Sequence, residues 1–440
     1  MTKENLKAIF TNPYNREDWQ KLIHDVFPRV TFFSLPHPIP VLNEEIKEFY
    51  HTGNIRLNDG KSLAIFELHV SNKINLKRNR VTLHSIITKY IDQESHHGVL
   101  ALFDSSSDDY RFTFTAKDSQ ITESGFETKI TDAKRFTYVF GPKETCRTAA
   151  DRFNKLAEKK DSITIKDVED AFSVEKLNKE FFNKYKEQYE KFVCRLTGKR
   201  FVKKAGKWEE IKEHEPHEYM NSIFQNNDKK ARDFIKKSLG RLVFLYFLQK
   251  KGWLGCSKDR TDWKNGDLKF MQHYFDNCTD KEHFHSKFLV PLYFECLNKK
   301  RDNDVFEPTK SRIPYLNGGL FDEEKLKIKT IDFPTKFWES LFTFFAEYNF
   351  TIDENDPFEQ EVGIDPEMLG HIFENLLEDN KDKGAFYTPK PIVEYMCKES
   401  LIQYLKTHLF PQNSPLSEGW QTKSDGVLNS PLSEGYGFSR

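Results

Sequence analysis

The stretch SLAIFELHV at residues 62–70 is apolar along most of its length, with polar residues only at Ser62, Glu67 and His69. Successive side chains of a strand point to opposite faces, so Glu67 and His69 share one face with two apolar residues, and four apolar residues share the other. The preceding NDGK contains residues that favour a tight turn, and NIRL stands before it. The pattern predicts a β-hairpin whose second strand is SLAIFELHV.

The rest of the first 155 residues mixes helix and strand patterns. NRVTLHSIITKYI, at residues 79–91, has apolar residues at nearly helical spacing. GVLALFD, YRFTFTA and RFTYVFG are each predicted to form a strand. Two strands, a helix and three further strands in this order predict an α/β domain over residues 1–155.

Helical patterns dominate the next part of the chain. DRFNKLAEK and VEKLNKEFFNKYKEQYEKFV are predicted helices, and a long helix lies within residues 220–250 before Gly252. Another helix begins after Asp365, which suits an N-cap, with Pro366 at the first helical position. These elements predict a mainly α-helical connector domain over residues 156–380.

The last 30 residues have a different composition. NSPLSEG occurs twice, at 413–419 and 429–435, and Ser, Gly and Pro occupy 13 of the 30 positions from 411 onward. Such a composition cannot form a packed core, which predicts a disordered tail over residues 411–440. Our interpretation is that a native reading frame is lost near residue 411; the alternative is an ordinary flexible tail.

Composition predicts a cytoplasmic protein of two or three domains. The 440 residues are 38% hydrophobic and 31% charged, with no apolar run long enough for a membrane span and no apolar signal-peptide core. The six cysteines are far apart, which argues against disulfide and zinc frameworks. No P-loop pattern occurs.

Local charge indicates a phosphate-binding surface more clearly than the net charge of −1 does. Residues 61–90 contain six basic side chains and one acid, and Lys73, Lys77, Arg78 and Arg80 are the candidate phosphate-binding residues within them. The alternative interpretation is an ordinary solvated basic surface.

Asp59, Glu67 and His69 are the candidate catalytic residues. Asp59 stands in the predicted turn, and a carboxylate at position 67 of an otherwise apolar strand needs a partner or a metal ion. Two carboxylates can hold Mg²⁺, which neutralises charge on a phosphodiester, and His69 can position water or accept its proton. The alternative is a surface carboxylate and a histidine at the edge of the core.

Several segments together resemble the type IIG restriction-modification enzymes, single chains that join a DNA endonuclease to an N6-adenine methyltransferase. They occur in the family's order within residues 55–396. The matching segments are LNDGKSLAIFELHV with NRVTLHSII, KRFTYVFG followed by CRTAADRF, LGRLVFLYFLQKKGWLG, IPYLNGGLF, IDPEMLGHIFENLLED and GAFYTPKPIVEYM.

The resemblance implies that residues 1–155 form a PD-(D/E)XK nuclease-like domain that cuts double-stranded DNA, with Asp59 and Glu67 as ligands of Mg²⁺. His69 stands where that motif usually has lysine, so we expect cleavage to be slowed or abolished unless Lys61 or Lys73 takes the place of that lysine.

The GAFYTP segment resembles the start of the family's class I methyltransferase, which implies a site for S-adenosylmethionine. The candidate cofactor-binding residues are Gly384, Phe386, Tyr387, Thr388 and Pro389. The family's glycine-rich cofactor loop and N-P-P-[YF] element do not occur in the sequence.

We therefore expect an N-terminal fragment, with an incomplete methyltransferase start at residues 381–410 that does not methylate DNA by itself. The alternatives are a catalytically inactive remnant that binds DNA or a partner, including a separately encoded methyltransferase or specificity portion, and a poorly folded remnant. No membrane partner is expected.

Overall fold

The computed structural model of this chain contains two compact units, residues 1–376 and residues 377–440. The residues that it describes are 2–40, 46–71, 97–105, 108–116, 135–142, 144–204, 207–263, 265–301, 303–316, 319–322, 327–351, 359–375 and 390–409.

Helices form most of the described chain. The α-helices are α1 (Lys3–Thr11), α2 (Arg16–Val26), α3 (Arg147–Glu158), α4 (Ile165–Phe172), α5 (Val174–Thr197), α6 (Glu218–Ser222), α7 (Asp228–Lys250), α8 (Phe270–Asp276), α9 (Thr335–Phe345), α10 (Glu367–Asn375) and α11 (Lys390–Leu409). Two π-helical segments span His285–Leu289 and Pro291–Leu297. Short 3₁₀ turns span Lys160–Ser162, Lys281–His283, Gly319–Phe321 and Ile328–Thr330.

The strands form one mixed sheet and two small hairpins. They are β1 (Val30–Pro38), β2 (Ile46–Arg56), β3 (Ser62–Val70), β4 (Gly98–Asp104), β5 (Tyr110–Ala116), β6 (Arg135–Phe140), β7 (Lys199–Lys204), β8 (Lys207–Lys212), β9 (Val305–Phe306), β10 (Ser311–Arg312) and β11 (Glu359–Glu361).

The mixed sheet has the order β1-β2-β3-β4-β5-β6-β11 among the described strands. β3 pairs in parallel with β4, and β6 in parallel with β11, while the other neighbours are antiparallel. The antiparallel β2/β3 pair confirms the predicted hairpin. The first strand of the hairpin, β2, extends further toward the N-terminus than the predicted segment NIRL, since it begins at Ile46.

Both faces of the sheet bury apolar side chains. Leu63 and Ile65 of β3 belong to the large core that also includes Phe10 of α1 and Trp19 of α2. The alternate residues of β3, with Phe66 in the middle, belong to a second buried cluster. The two-faced pattern predicted for this strand is therefore confirmed.

Helices α1 and α2 were not predicted from the sequence. Thr2 caps α1 through its side chain, and Asn15 caps α2 by accepting the N–H of Asp18 at 3.1 Å. Their buried aromatic residues pack on the sheet: Phe10 stacks on Phe140 with ring centroids 4.3 Å apart. This packing places the start of α2 beside β3.

The remaining predictions of elements have mixed outcomes. The strands at 98–104, 110–116 and 135–140 and the helices over 151–158 and 174–193 are confirmed. The long helix begins at Asp228 rather than before it, because Asn227 caps it. The predicted helix at 79–91 lies outside the described residues.

The helical region packs on the sheet region through one continuous apolar core. This core contains residues of α1 to α5 together with residues of α7 and α9. Residues on either side of the predicted boundary at 155 lie in the same compact unit. The boundary, like the PD-(D/E)XK classification, stays a prediction.

The second unit is described only at α11, a helix that begins at Lys390, shortly after the GAFYTP segment. Of the described helices, none is both long and apolar enough to cross a membrane.

Candidate active site

The C-terminal half of β3 places two polar side chains in a cleft. Glu67 lies opposite Tyr50 of β2, and His69 lies opposite Glu48 of the same strand. On its other side, β3 runs parallel to β4, where His69 lies opposite Asp104, the last residue of β4. The carboxyl ends of parallel strands are common ligand sites in α/β proteins.

The cleft has a volume of about 290 Å³, which leaves room for several water molecules. Its lining residues are Tyr14, Arg16, Glu48, Tyr50, Glu67, Leu68, His69 and Asp104. Three carboxylates, one guanidinium and one imidazole therefore meet here, at the carboxyl ends of the interior strands β3 and β4.

Glu67 is held by two residues at the start of α2. Arg16 Nε donates to both carboxylate oxygens, at 2.9 Å to Oε1 and 2.8 Å to Oε2. The Tyr14 hydroxyl also hydrogen-bonds to Glu67, and burial followed by the charge of Glu67 raises the pKa of Tyr14 well above its usual value. The guanidinium carbon lies 5.8 Å from the centre of the Tyr50 ring.

His69 and Asp104 form a second pair in the cleft. His69 Nδ1 lies 3.1 Å from Asp104 Oδ2. With Nδ1–H as the donor, Nε2 remains a proton acceptor. Burial raises the pKa of Asp104, His69 partly offsets that effect, and the charge of Glu67 adds to it. The two carboxylates are thus close enough to interact, an arrangement common in functional sites.

The donor set suits a hard divalent cation. Carboxylate oxygens of Glu67 and Asp104 share a cleft with a third acid, Glu48, and Mg²⁺ is usually held by one or two carboxylates together with water and substrate oxygens. Within the described residues, no group of three or more His, Cys, Asp or Glu side chains has the geometry to hold a metal ion. Any such ion would have to rely on water or phosphate for its remaining ligands.

Asp59 does not lie in this cleft. Its Oδ2 accepts the N–H of Ile165 at the start of α4, at 3.0 Å, and its Oδ1 accepts the N–H of Lys61 at 3.3 Å. Asp59 precedes the first residue of β3, while Glu67 is the sixth residue of that strand. At a rise of about 3.3 Å per residue, roughly 16 Å of strand separates Ser62 from Glu67.

The expected Asp59–Glu67 pairing is therefore corrected. The turn of the hairpin and the polar end of β3 are at opposite ends of one strand, so the two carboxylates cannot bind the same ion. Asp104 of β4 stands near Glu67 instead.

The other predicted site residues lie outside the described residues. These are the candidate DNA-binding residues Lys73, Lys77, Arg78 and Arg80 and the candidate cofactor-binding residues Gly384, Phe386, Tyr387, Thr388 and Pro389. Their roles stay predictions.

Sequence reasoning missed five polar residues of the cleft, namely Tyr14, Arg16, Glu48, Tyr50 and Asp104. Asp104 was the easiest of them to find in the sequence, because it is an acidic residue at the end of the apolar strand GVLALFD. Arg16 carried a weaker signal: it is the first residue of a helix, a position that favours acids over bases.

Comparison with known proteins gives one informative similarity. Over 241 residues, the chain is 26% identical to a Methanocaldococcus jannaschii protein provisionally named type II restriction enzyme and methyltransferase. This similarity supports a restriction-modification family. The matched segment is 50% of this chain and 19% of the relative, so the chain spans about a fifth of the relative's length. No family model matches the chain, and no solved structure matches it.

Proposed function

We propose that this chain is the N-terminal part of a type IIG restriction-modification enzyme and that its β-sheet region hydrolyses phosphodiester bonds of double-stranded DNA with Mg²⁺. The observation that carries the proposal is the cleft at the ends of β3 and β4, where Glu67, Asp104 and His69 meet. The similarity to a protein named as a restriction enzyme and methyltransferase supports DNA as the substrate.

In this proposal, Glu67 and Asp104 hold the metal ion. When bound, Mg²⁺ supplies positive charge for the scissile phosphate and acidifies water. His69, oriented by its hydrogen bond to Asp104, accepts a proton from the attacking water through Nε2. A histidine held by a carboxylate can thus act as the base at the position where the family usually has lysine.

Cleavage of supercoiled plasmid with Mg²⁺ or Mn²⁺ tests the proposal. We expect Glu67→Gln and Asp104→Asn to reduce the cleavage rate by about 100-fold or more, as loss of a metal ligand or proton acceptor usually does. Glu158→Gln is the matched control, because this exposed carboxylate on α3 hydrogen-bonds only to Asn154 among the contacts described. If both cleft variants cleave the plasmid as fast as the control, Glu67 and Asp104 do not belong to the catalytic site.

The second candidate function is a DNA-binding or partner-binding protein without nuclease activity. It is favoured by one observation: both oxygens of Glu67 are occupied by Arg16 rather than left open to a metal ion. His69→Lys separates the two. If this variant cuts DNA and the original chain does not, histidine has inactivated an intact nuclease site; if His69→Lys cuts more slowly than an active original chain, histidine is the working base.

The methyltransferase part of the proposal rests on the resemblance of GAFYTP alone. S-adenosylmethionine is its proposed cofactor in the longer enzyme. Isothermal titration of the cofactor into this chain and into Tyr387→Ala tests whether the segment binds it without the rest of the enzyme.

A further inference from the structure

The ion pair between Arg16 and Glu67 links the start of α2 to the centre of the cleft. One donor, Arg16 Nε, contacts both carboxylate oxygens, and the Glu67 side chain is 14% exposed while that of Arg16 is 45% exposed. Arg16 is thus the more exposed partner of the pair. Its other two nitrogens give it donors beyond those that Glu67 uses.

The position of Arg16 in α2 is unfavourable without this partner. It is the first residue of the helix, where the partial positive charge of the helix dipole repels a cation, and the next two residues, Glu17 and Asp18, are the acids expected there. The Asn15 cap already satisfies a free N–H of the first turn. Arg16 is therefore not needed to start the helix, and its contacts are with the cleft.

A divalent cation bound at Glu67 would compete with Arg16 for this carboxylate. Both would need its oxygens, and each would repel the other, so the cation would displace the guanidinium. In the structure the guanidinium carbon of Arg16 lies 5.8 Å from the centre of the Tyr50 ring. The displaced side chain would therefore remain close to the cleft. A planar guanidinium with several donors suits the oxygens of a phosphate.

We propose that Arg16 is a positioning residue that exchanges Glu67 for a DNA phosphate when a divalent cation binds. In the metal-free protein it neutralises Glu67 and keeps the cleft closed to phosphate. In the metal-bound protein it binds the phosphate backbone beside the cation. This inference rests on the proposed nuclease function, because it assumes that the cation binds at Glu67.

Isothermal titration of Mn²⁺ without DNA provides the first test. The chain, Arg16→Ala and Glu67→Gln are compared, with Arg29→Ala as the matched control, because Arg29 is as exposed as Arg16 and pairs with Asp161 away from the cleft. We expect Arg16→Ala to bind Mn²⁺ about five-fold more tightly, the equivalent of about 1 kcal/mol for a partly exposed ion pair. Glu67→Gln should bind it at least about ten-fold more weakly.

Anisotropy of a fluorescent duplex with phosphorothioate linkages that resist cleavage provides the second test. With Mn²⁺, Arg16→Ala should bind the duplex about ten-fold more weakly than the original chain, as expected for loss of a charged phosphate contact. Without Mn²⁺ the two should bind alike, because Arg16 is then held by Glu67. A merely structural role would weaken binding equally in both conditions. Arg16→Gln replaces Arg16→Ala if the alanine variant does not fold.

The outcomes separate the two proposals. Unchanged Mn²⁺ affinity in Arg16→Ala, or equal losses of DNA affinity with and without Mn²⁺, overturns the exchange and leaves the nuclease site standing. Equal Mn²⁺ affinity of the original chain and Glu67→Gln means that the cation does not bind at Glu67, which overturns both proposals.

Discussion

Replacing Asp59 distinguishes the site seen in the structure from the one expected from the sequence. Asp59→Ala removes two hydrogen bonds, from Ile165 N–H at 3.0 Å and from Lys61 N–H at 3.3 Å. The first satisfies one of the N–H groups at the start of α4 that have no partner within the helix. If Asp59 is structural, the substitution destabilises the fold; if it is a metal ligand, it reduces metal affinity.

The expected loss of stability is about 1–2 kcal/mol. Each hydrogen bond contributes about 1 kcal/mol, and the carboxylate adds a few tenths through its charge at the start of a helix. Because Asp59 is exposed, water replaces part of what is lost, so the lower end of this range is expected. Asp59→Asn keeps an acceptor oxygen and removes the charge, and should cost about 0.5 kcal/mol.

Urea unfolding followed by Trp fluorescence measures the stability, because Trp19 is 3% exposed and packs in the core of the same sheet. Mn²⁺ titration of the same variants measures metal affinity. We expect both variants to bind Mn²⁺ like the original chain. The reasoning is refuted if Asp59→Asn loses metal affinity ten-fold or more while its stability is unchanged, since this would place Asp59 at the metal ion.

Three further predictions concern the stability that ionisable groups contribute. Burial raises the pKa of Asp104 above its usual value, so the fold favours the neutral form more than the unfolded chain does; urea unfolding should show Asp104→Asn gaining stability over the original chain as the pH rises above about 4. Burial lowers the pKa of His285 to about 4, so the stability that the neutral ring contributes above pH 6.5 is lost as the pH falls to about 4. The expected loss in the free energy of unfolding is about 3 kcal/mol. Urea unfolding of His285→Gln at the same pH values should not show this loss. Lys250→Met removes the ammonium group 2.7 Å from the carboxylate of Glu144, whose side chain is 1% exposed. Chemical unfolding should show that the free energy of unfolding falls by about 3 kcal/mol, because a buried charge is left without its partner. The second substitution Glu144→Gln should recover most of this loss.

The polar end of β3 could be predicted from the sequence because it depends on local alternation alone. Glu67 and His69 share a face by the geometry of any strand, and the structure brings both into the cleft. The same geometry argued against Asp59, because a residue in the turn before a strand lies several residues away from one near its end. Asp59 and Glu67 are close in the sequence, but an extended strand separates them in space.

The rest of the cleft depends on contacts between residues far apart in the sequence. Asp104 reaches His69 because β4 pairs in parallel with β3, and nothing in either strand fixes that register by itself. Arg16 reaches Glu67 from 51 residues away because α1 and α2 pack their aromatic residues on the sheet. Such contacts follow from tertiary packing, which periodicity within one segment does not specify.

The charges of the cleft indicate why metal and DNA binding should depend on each other. Among its described lining residues, the carboxylates of Glu48, Glu67 and Asp104 face only one guanidinium, that of Arg16. A phosphate entering this cleft alone would meet net negative charge at close range, where repulsion is little screened by salt. A divalent cation held by Glu67 and Asp104 would neutralise that net charge and, in the proposed exchange, release Arg16 toward the phosphate. The basic stretch at residues 73–80, which lies outside the described residues, can then supply long-range attraction while the cleft controls close approach. On this account, the metal ion is required for a phosphate to enter the cleft as well as for its hydrolysis.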